Sequence, residues 1–276
     1  MFEIKKKTTL AHDVHSIEVE ASYIASKTLP GQFVIIKINE EGERIPLTIA
    51  DSHPKRGTVT LIFQEVGKST MQLGGLSKGD FLEDVVGPLG IPSHLEKLGL
   101  VVCIGGGIGI APVHPVARGF KNAGSKVISI LGARSRDLLI MEKKMVKAST
   151  EVMICTDDGS YGQKGFVTNV LEDLINNGSP IDLVVAIGPV PMMEAVCKLT
   201  KPFEIKTMVS LNPIMVDGTG MCGACRVTVA GKTKFVCVEG PDFDGHQVDF
   251  AELRLRQRMY LKEEREAIES LTYIGE

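Results

Sequence analysis

The apolar positions of this chain change rhythm twice. Up to about residue 98 they come in short runs that alternate with polar residues and are separated by Gly, Pro and Asp, as in Gly31-Gln-Phe-Val-Ile-Ile-Lys-Ile38 and Thr58-Val-Thr-Leu-Ile-Phe63. A period of two marks half-buried strands, and many short strands divided by turn residues predict an antiparallel barrel over 1–98. From Leu100 the texture becomes continuous apolar runs followed by helix-like segments: Leu100-Val-Val-Cys-Ile104, Val127-Ile-Ser-Ile-Leu131, Val152-Met-Ile-Cys155 and Leu183-Val-Val-Ala-Ile187. Strands buried on both faces and alternating with helices predict a Rossmann-like parallel-sheet domain over 99–205.

Past Pro202, residues 206–249 are rich in Gly and Cys, with strand patterns at Arg226-Val-Thr-Val-Ala230 and Lys234-Phe-Val-Cys237. A subdomain of that size builds little core and is expected to need a metal centre to fold. The segment 250–276 is highly charged, with apolar residues at 250, 253, 259, 268 and 271 in roughly helical spacing. It is expected to be a helical tail, solvated or docked, with Arg254, Arg256 and Arg258 between its apolar positions. The expected fold class is thus α/β plus all-β.

A length of 276 residues with 43% hydrophobic content supports sizeable cores and argues against disorder. The formal net charge of −3 and the scattered basic residues give no nucleic-acid face. No stretch reaches about 18 apolar residues, and Met1-Phe-Glu-Ile-Lys-Lys-Lys7 lacks the apolar core of a signal peptide, so a cytoplasmic protein with no membrane span is expected. Cys103, Cys155 and Cys197 sit in or beside apolar runs and are expected in the core, whereas the other three cysteines cluster.

That cluster carries the most specific chemistry. Asp217-Gly-Thr-Gly-Met-Cys222-Gly-Ala-Cys225, followed by Cys237, reads D-x4-C-x2-C-x11-C, the plant-type iron–sulfur spacing with aspartate in the first position. Soft thiolates suit iron and bridging sulfide, and the glycines let backbone amides turn toward sulfur. A [2Fe–2S] cluster held by Asp217, Cys222, Cys225 and Cys237 is the leading reading. A structural zinc or merely buried thiols are the alternatives, and zinc ribbons more often pair two C-x2-C knuckles where this chain has one. The oxygen donor Asp217 would favour ferric iron; alternatively it only turns the loop while another residue, such as Asp242, or water completes the shell.

A second constellation points to a dinucleotide. Gly105-Gly-Gly-Ile-Gly-Ile-Ala-Pro112 follows a buried strand and precedes a helix, where backbone N–H groups and the helix dipole favour a pyrophosphate, making Gly105, Gly106, Gly107, Ile108 and Gly109 candidate ligands. A glycine-rich loop alone is equally an ordinary tight turn; its βαβ setting strengthens the functional reading. Further strand ends offer Gly132-Ala133-Arg134-Ser-Arg136, Asp157 and Asp158, and Gly188-Pro189 with Met192 and Met193. Ligands of open α/β sheets bind beyond the carboxyl ends of strands, so these loops are expected to meet in one crevice. For the arginines the alternative is a solvated turn, and for the aspartates a helix cap.

Barrel, Gly105-Gly-Gly-Ile-Gly109, Gly188-Pro189 and the C-terminal cysteines together resemble the ferredoxin reductase superfamily over the whole chain, with parts ordered as in dihydroorotate dehydrogenase electron-transfer subunits. The stretch Ser210–Cys225 is similar to the small, FAD-carrying subunits of NADH-dependent reduced ferredoxin:NADP oxidoreductases, also described as sulfide dehydrogenase β subunits. Dihydroorotate relatives carry cysteine where this chain has Asp217, which favours the bifurcating family. The resemblance implies an FAD-binding barrel: Arg44-Ile-Pro46-Leu47-Thr48 is similar to the flavin strand Arg-x-Tyr-Ser/Thr, with Thr48 near flavin N5 and Ile45 where strict register wants the arginine. It also implies a second FAD segment at Gly67-Lys68-Ser69-Thr70, which reads alternatively as a helix start capped by Ser69 or Thr70. Implied cofactors are FAD, NAD(H) and the [2Fe–2S] cluster. The implied partner is a larger iron–sulfur flavoprotein subunit through which ferredoxin and NADP react. No Ser–His–Asp order suggests hydrolysis, no catalytic acid is expected, and His94, His114 and His246 read as surface or satisfied core residues. The rival from another class is a zinc-bearing nucleotide-binding interaction module.

Overall fold

The computed structural model describes residues 1–273. Seven strands, β1 (Phe2–Ala11), β2 (Val14–Glu20), β3 (Phe33–Lys37), β4 (Arg44–His53), β5 (Thr58–Gln64), β6 (Phe81–Leu82) and β7 (Asp84–Leu89), pair antiparallel in the order β6-β1-β2-β5-β4-β3-β7. The outermost strands β6 and β7 are separated in sequence by Glu83 alone, so the sheet curls into a nearly closed barrel. Alternate residues fill it: Ile4, Ile17, Val34, Ile36, Leu61 and Phe63 are buried inside. Helix α1 (Ser22–Lys27) packs Ile24 and Ala25 against the same core, and α2 (Lys68–Gly75) adds Leu73.

The second unit is built on parallel strands β8 (Leu100–Gly106), β9 (Lys126–Ala133), β10 (Glu151–Thr156), β11 (Gln163–Lys164), β12 (Leu183–Ile187) and β13 (Thr207–Ser210), in the order β11-β10-β9-β8-β12-β13. Helices α3 (Ile110–Asn122) and α4 (Glu142–Ala148) cover one face, α5 (Val167–Asn176) and α6 (Val190–Thr200) the other. The pleat explains the unbroken apolar runs, since Val101 and Cys103 face α3 while Val102 and Ile104 face α5 and α6. Cys103, Cys155 and Cys197 are all buried. Thr207–Ser210, beyond the boundary expected at 205, continues the parallel sheet.

The cysteine-bearing segment contributes the hairpin β14 (Arg226–Val229) and β15 (Lys232–Phe235), the short helix α7 (Val236–Glu239) and β16 (Asp242–Asp244), which adds antiparallel to β13. This segment is therefore an edge of the parallel sheet as well as a hairpin of its own. Helix α8 (Phe250–Gln257) buries Phe250 and Leu253. Arg254 bonds Glu194 of α6, and Arg256 donates to the Ala224 carbonyl at 3.0 Å, so the tail is fastened across the cysteine loop. Helix α9 (Leu261–Tyr273) follows and reaches α2. No helix among the described residues is long and apolar enough to cross a membrane.

Barrel and sheet unit share apolar walls. Strand β3 is buried on both sides, Val34 and Ile36 toward the barrel and Phe33 and Ile35 toward the core beneath the cysteine segment. Val14, Ala50 and Ile62 on the outside of the barrel pack into the α3 layer. At roughly 1.5–3 kcal/mol per fully buried large aliphatic or aromatic side chain, these contacts outweigh the polar ones at the rim. The rim holds Arg118 Nη2 and Asp51 Oδ1 at 3.0 Å and His114 Nδ1 and the Ala50 carbonyl at 3.2 Å.

Two opposing effects set Asp51. Burial raises its proton affinity, but the Arg118 charge and hydrogen bonds from Arg118 and Ser52 prevail and hold it below the usual carboxylate range. Burial also lowers His114, against the Ala50 carbonyl. Both groups bind fewer protons folded than unfolded, so each contributes stability that is lost on acidification. For His114 the loss begins below about pH 6.5, and for Asp51 below about pH 3.9. Thermal denaturation from pH 7 to pH 5 should give a falling Tm whose slope flattens in His114→Gln. Arg118→Ala should cost only about 0.5–1 kcal/mol, because that guanidinium is 42% exposed.

Candidate functional site

The strand order reverses between β8 and β12, and a crevice of ≈ 900 Å³ opens beyond their carboxyl ends, against the barrel. Gly106, Gly107, Ile108 and Gly109 form one wall and Gly188 and Pro189 the facing one. Two glycines are required there. Gly107 has φ +55°, and a Cβ on Gly109 would stand 2.2 Å from the Ile187 carbonyl oxygen and 2.7 Å from Gly188 Cα. The loop after β8 therefore touches the loop after β12 backbone to backbone and leaves the N-terminus of α3 facing the space, a cradle suited to a pyrophosphate. Gly105 lies one step back, under Ile110 of α3, and serves packing.

The next strand ends behave differently from one another. Ala133, Arg134 and Asp157 line the crevice, whereas Asp158 folds onto Ser160, accepting from its amide at 2.9 Å and its hydroxyl at 2.7 Å. Asp158 thus turns its own loop and caps no helix. The Arg136 guanidinium lies 5.2 Å from the centre of the Tyr161 ring. Of the histidines, His114 is buried as described, His246 Nε2 bonds Thr200 Oγ1 at 2.9 Å, and His94 is exposed beside Glu96.

On the barrel side Pro46, Leu47 and Thr48 line the crevice. The β3–β4 register, Phe33↔Thr48, Ile35↔Pro46 and Lys37↔Arg44, puts Arg44, Pro46 and Thr48 on one face of the strand, with Ile45 and Leu47 alternate to them. Arg44 therefore shares the face of Thr48 despite its offset in sequence. Its Nη1 is 3.4 Å from Asp84 Oδ2, and its Nε is buried with no hydrogen-bond partner, an unmet donor that an anionic cofactor would satisfy. Thr70 reaches the crevice and its hydroxyl accepts the amides of Val66 and Gly67 at 2.9 and 3.0 Å. Gly67, rather than Ser69 or Thr70, is the N-cap of α2; Lys68 opens the helix, and Ser69 donates to Glu43 at 2.9 Å.

The cysteine segment abuts this crevice through Pro241. Cys225 and Cys237 are buried, at 1% and 2% exposure, with their sulfurs 3.2 Å apart. The Cys237 amide points at Cys225 Sγ at 3.4 Å, and the Gly220 amide at the Cys237 sulfur. Backbone N–H groups aimed at sulfur are what an iron–sulfur centre uses to stabilise thiolate ligands. Burial and the Cys225 thiol push the Cys237 thiol well up, so a bound cation would favour its thiolate. Cys222 is exposed on the outer loop, where Gly218, Gly220 and Gly223 all have positive φ. Asp217 Oδ1 accepts from Thr219 N at 2.8 Å and Oδ2 from Cys222 N at 2.7 Å, which keeps its carboxyl below the usual range. Among the described residues, no three His, Cys, Asp or Glu side chains stand as a ready metal cage. The donor set of three sulfurs and one carboxylate, with two amides directed at the inner sulfurs, nevertheless suits a [2Fe–2S] cluster. Asp242 is engaged elsewhere, with Ser93 Oγ 2.5 Å from its Oδ2.

An antiparallel barrel, a parallel sheet and a crevice at their seam define the ferredoxin-reductase class of fold. The profile of the oxidoreductase NAD-binding domain matches residues 103–198, and that of the iron–sulfur cluster binding domain of dihydroorotate dehydrogenase B matches residues 212–249. The chain belongs to the family of dihydroorotate dehydrogenase B-type electron-transfer subunits. It is 46% identical to the dihydroorotate dehydrogenase B (NAD(+)) electron transfer subunit homolog of Thermotoga maritima, over 95% of this chain and 93% of that one. It is 32% identical to the corresponding electron transfer subunit of Fusobacterium nucleatum, over 89% and 96%. Among solved structures it resembles a chain of the NADH-dependent reduced ferredoxin–NADP oxidoreductase, studied for flavin-based electron bifurcation, with TM-score 0.93 and 42% identity over 99% of this chain and 98% of that one.

Several crevice residues escaped the sequence reading, among them Phe33, Phe166, Ser210 and Pro241. Ser210 obeys the strand-end rule, but its strand lay beyond the expected boundary. Gly109→Ala tests the cradle: forcing the two loops apart should cost roughly 1–3 kcal/mol or more in thermal denaturation and weaken dinucleotide binding in calorimetry. Gly178→Ala, at an open position with φ +73°, should leave binding unchanged.

Proposed function

We propose that this chain is the FAD- and [2Fe–2S]-carrying small subunit of an electron-bifurcating NADH-dependent ferredoxin:NADP oxidoreductase, working in the cytoplasm beside a larger iron–sulfur flavoprotein subunit at which ferredoxin and NADP react. The observation that carries the reading is the sharing of one crevice. Glycine cradle, barrel strand β4 and Pro241, four residues past Cys237, all face it, so hydride donor and flavin share one enclosure with the cysteine segment as part of its wall. When bound, the dinucleotide supplies hydride, the flavin splits an electron pair, and the cluster carries single electrons.

The chain itself binds and orients. Gly106–Gly109 and the α3 N-terminus hold the pyrophosphate of NAD(H), with Arg134 and Asp157 toward its adenosine end. Thr48, Pro46 and Leu47 hold the flavin ring system, while Arg44 and the start of α2 at Gly67, Lys68 and Thr70 hold the FAD pyrophosphate, Ser69 being bound to Glu43. Asp217, Cys222, Cys225 and Cys237 ligate the cluster. Walls of Phe33, Ile62 and Met215 exclude water.

Asp217 favours this reading over a dihydroorotate dehydrogenase subunit, whose relatives place cysteine there. Co-expression with a larger iron–sulfur flavoprotein subunit tests it. The expected result is a stable heterodimer that reduces NADP when given NADH and reduced ferredoxin together. Dihydroorotate-dependent reduction of NAD by a complex with a dihydroorotate dehydrogenase catalytic subunit would contradict it. In Asp217→Cys, where the donor that favours ferric iron is lost, the midpoint potential of the cluster should rise and lose pH dependence, read by EPR-monitored titration.

A further inference from the structure

Asp242 is a buried carboxyl that the roles above leave unused. It stands opposite Ser210 in the β13–β16 register, so the two side chains leave the sheet on one face. Ser93 Oγ lies 2.5 Å from its Oδ2, and the Ser210 hydroxyl bonds the same carboxyl. Ser210 also lines the crevice, as do Pro241 and Phe33. This is the Thr48 end of the crevice. Phe33 pairs with Thr48, and a Cβ on Gly90 would meet Phe33 Cε1 at 2.9 Å and Pro241 Cδ at 3.0 Å, so those two side chains meet at one spot. Crevice, hydroxyl and buried carboxyl thus stand in series.

The proposed function requires such a group. A hydride brings two electrons and one proton together, whereas the electrons leave singly to iron, and the proton left at flavin N5 needs an acceptor. Among the described residues lining the crevice, the one carboxylate is Asp157. It follows β10, four strand positions from β13, about 19 Å away at the usual strand spacing. That distance rules Asp157 out for the Thr48 end.

We propose that Ser210 and Asp242 form a proton exit for the flavin end of the crevice, an inference that rests on the functional reading above. With FAD bound and its two electrons given up to ferric iron, Ser210 Oγ would accept the proton left at the flavin and give its own hydroxyl proton to the Asp242 carboxylate. One N–H bond breaks and one O–H bond forms at Ser210, while a second O–H bond breaks there and one forms at Asp242. Dihydronicotinamide is the net reductant and ferric iron the oxidant. Asp242 ends as the neutral acid and returns its proton to water before the next hydride arrives. Asp242 acts through Ser210 and is a positioning residue. Burial raises its proton affinity from the ordinary carboxylate range toward that of a working acid–base group. The packed segments 207–210 and 90–93 contain no titratable side chain, and Asp244, two residues along β16, turns instead to the His246 amide at 3.0 Å.

The test uses the purified full chain with its cofactors, reduced anaerobically by NADH and reoxidised by a one-electron ferric acceptor across a pH series in water and deuterium oxide. Asp242→Asn should bleach with NADH within about twofold of wild type but reoxidise at least about tenfold more slowly, Ser210→Ala should reoxidise as slowly, and Asp242→Glu should restore most of the rate. Thermal denaturation gives a second readout. Between about pH 4 and its raised folded value the folded wild type keeps a proton that the unfolded chain loses, so its stability falls as pH rises through that window, above which Asp242 is the carboxylate. The Tm of Asp242→Asn minus that of wild type should therefore grow with pH. Normal bleaching with unchanged reoxidation and pH profile in the variants overturns the proton exit alone. A wild-type chain that NADH does not bleach overturns the functional reading and the exit with it.

Discussion

Everything in this molecule depends on strand β3 being buried on both of its faces. Val34 and Ile36 close the barrel, while Phe33 and Ile35 lie in the core beneath the cysteine segment. A Cβ on Gly218 would fall 2.8 Å from Ile35 and 2.7 Å from Leu89, so the loop that carries Asp217 and Cys222 rests directly on the barrel. One strand is thus a wall of the flavin unit and the floor of the iron–sulfur loop, which keeps the two redox parts at a separation set by close packing rather than by a linker.

The same economy appears on the other side of the crevice. The cysteine segment adds β16 to the parallel sheet, and the Leu211 amide donates to the Pro241 carbonyl at 2.9 Å. The Ile91 amide donates to the Gly240 carbonyl at 2.6 Å. Barrel linker, parallel sheet and cysteine segment are therefore tied by backbone hydrogen bonds where the cofactors would meet. Backbone pairing therefore anchors this segment to its neighbours, and the Asp217 carboxylate ties down the outer loop through the Thr219 and Cys222 amides.

Much of this was legible in the chain because the underlying signals are local. Apolar runs such as Leu183–Ile187 announce strands buried on two faces, and the spacing from Asp217 to Cys237 reflects the geometry of iron and sulfide. What escaped depends on pairing between distant segments. Thr207–Ser210 is short and reads as loop until it lies beside β12, and Ser210 enters the crevice only through that pairing. Arg44 is offset by one position from the expected motif, yet period-two alternation from Thr48 brings it to the same face. Ser69 carries the residue type expected of a ligand but is satisfied by Glu43, 26 residues away, a contact that no local pattern encodes, whereas Asp158 closes a local turn onto Ser160.

The central claim is that a hydride-accepting flavin and an iron–sulfur centre are neighbours within this chain, the crevice of one walled in part by the segment that carries the other. The most direct measurement is an optical and EPR spectrum of the anaerobically purified chain before and after NADH, with iron, sulfide and zinc assayed on the same sample. The account predicts iron and sulfide in equal amounts, bleaching of the flavin and a rhombic signal of the reduced [2Fe–2S] centre. A colourless, zinc-bearing protein that NADH leaves unchanged would contradict it.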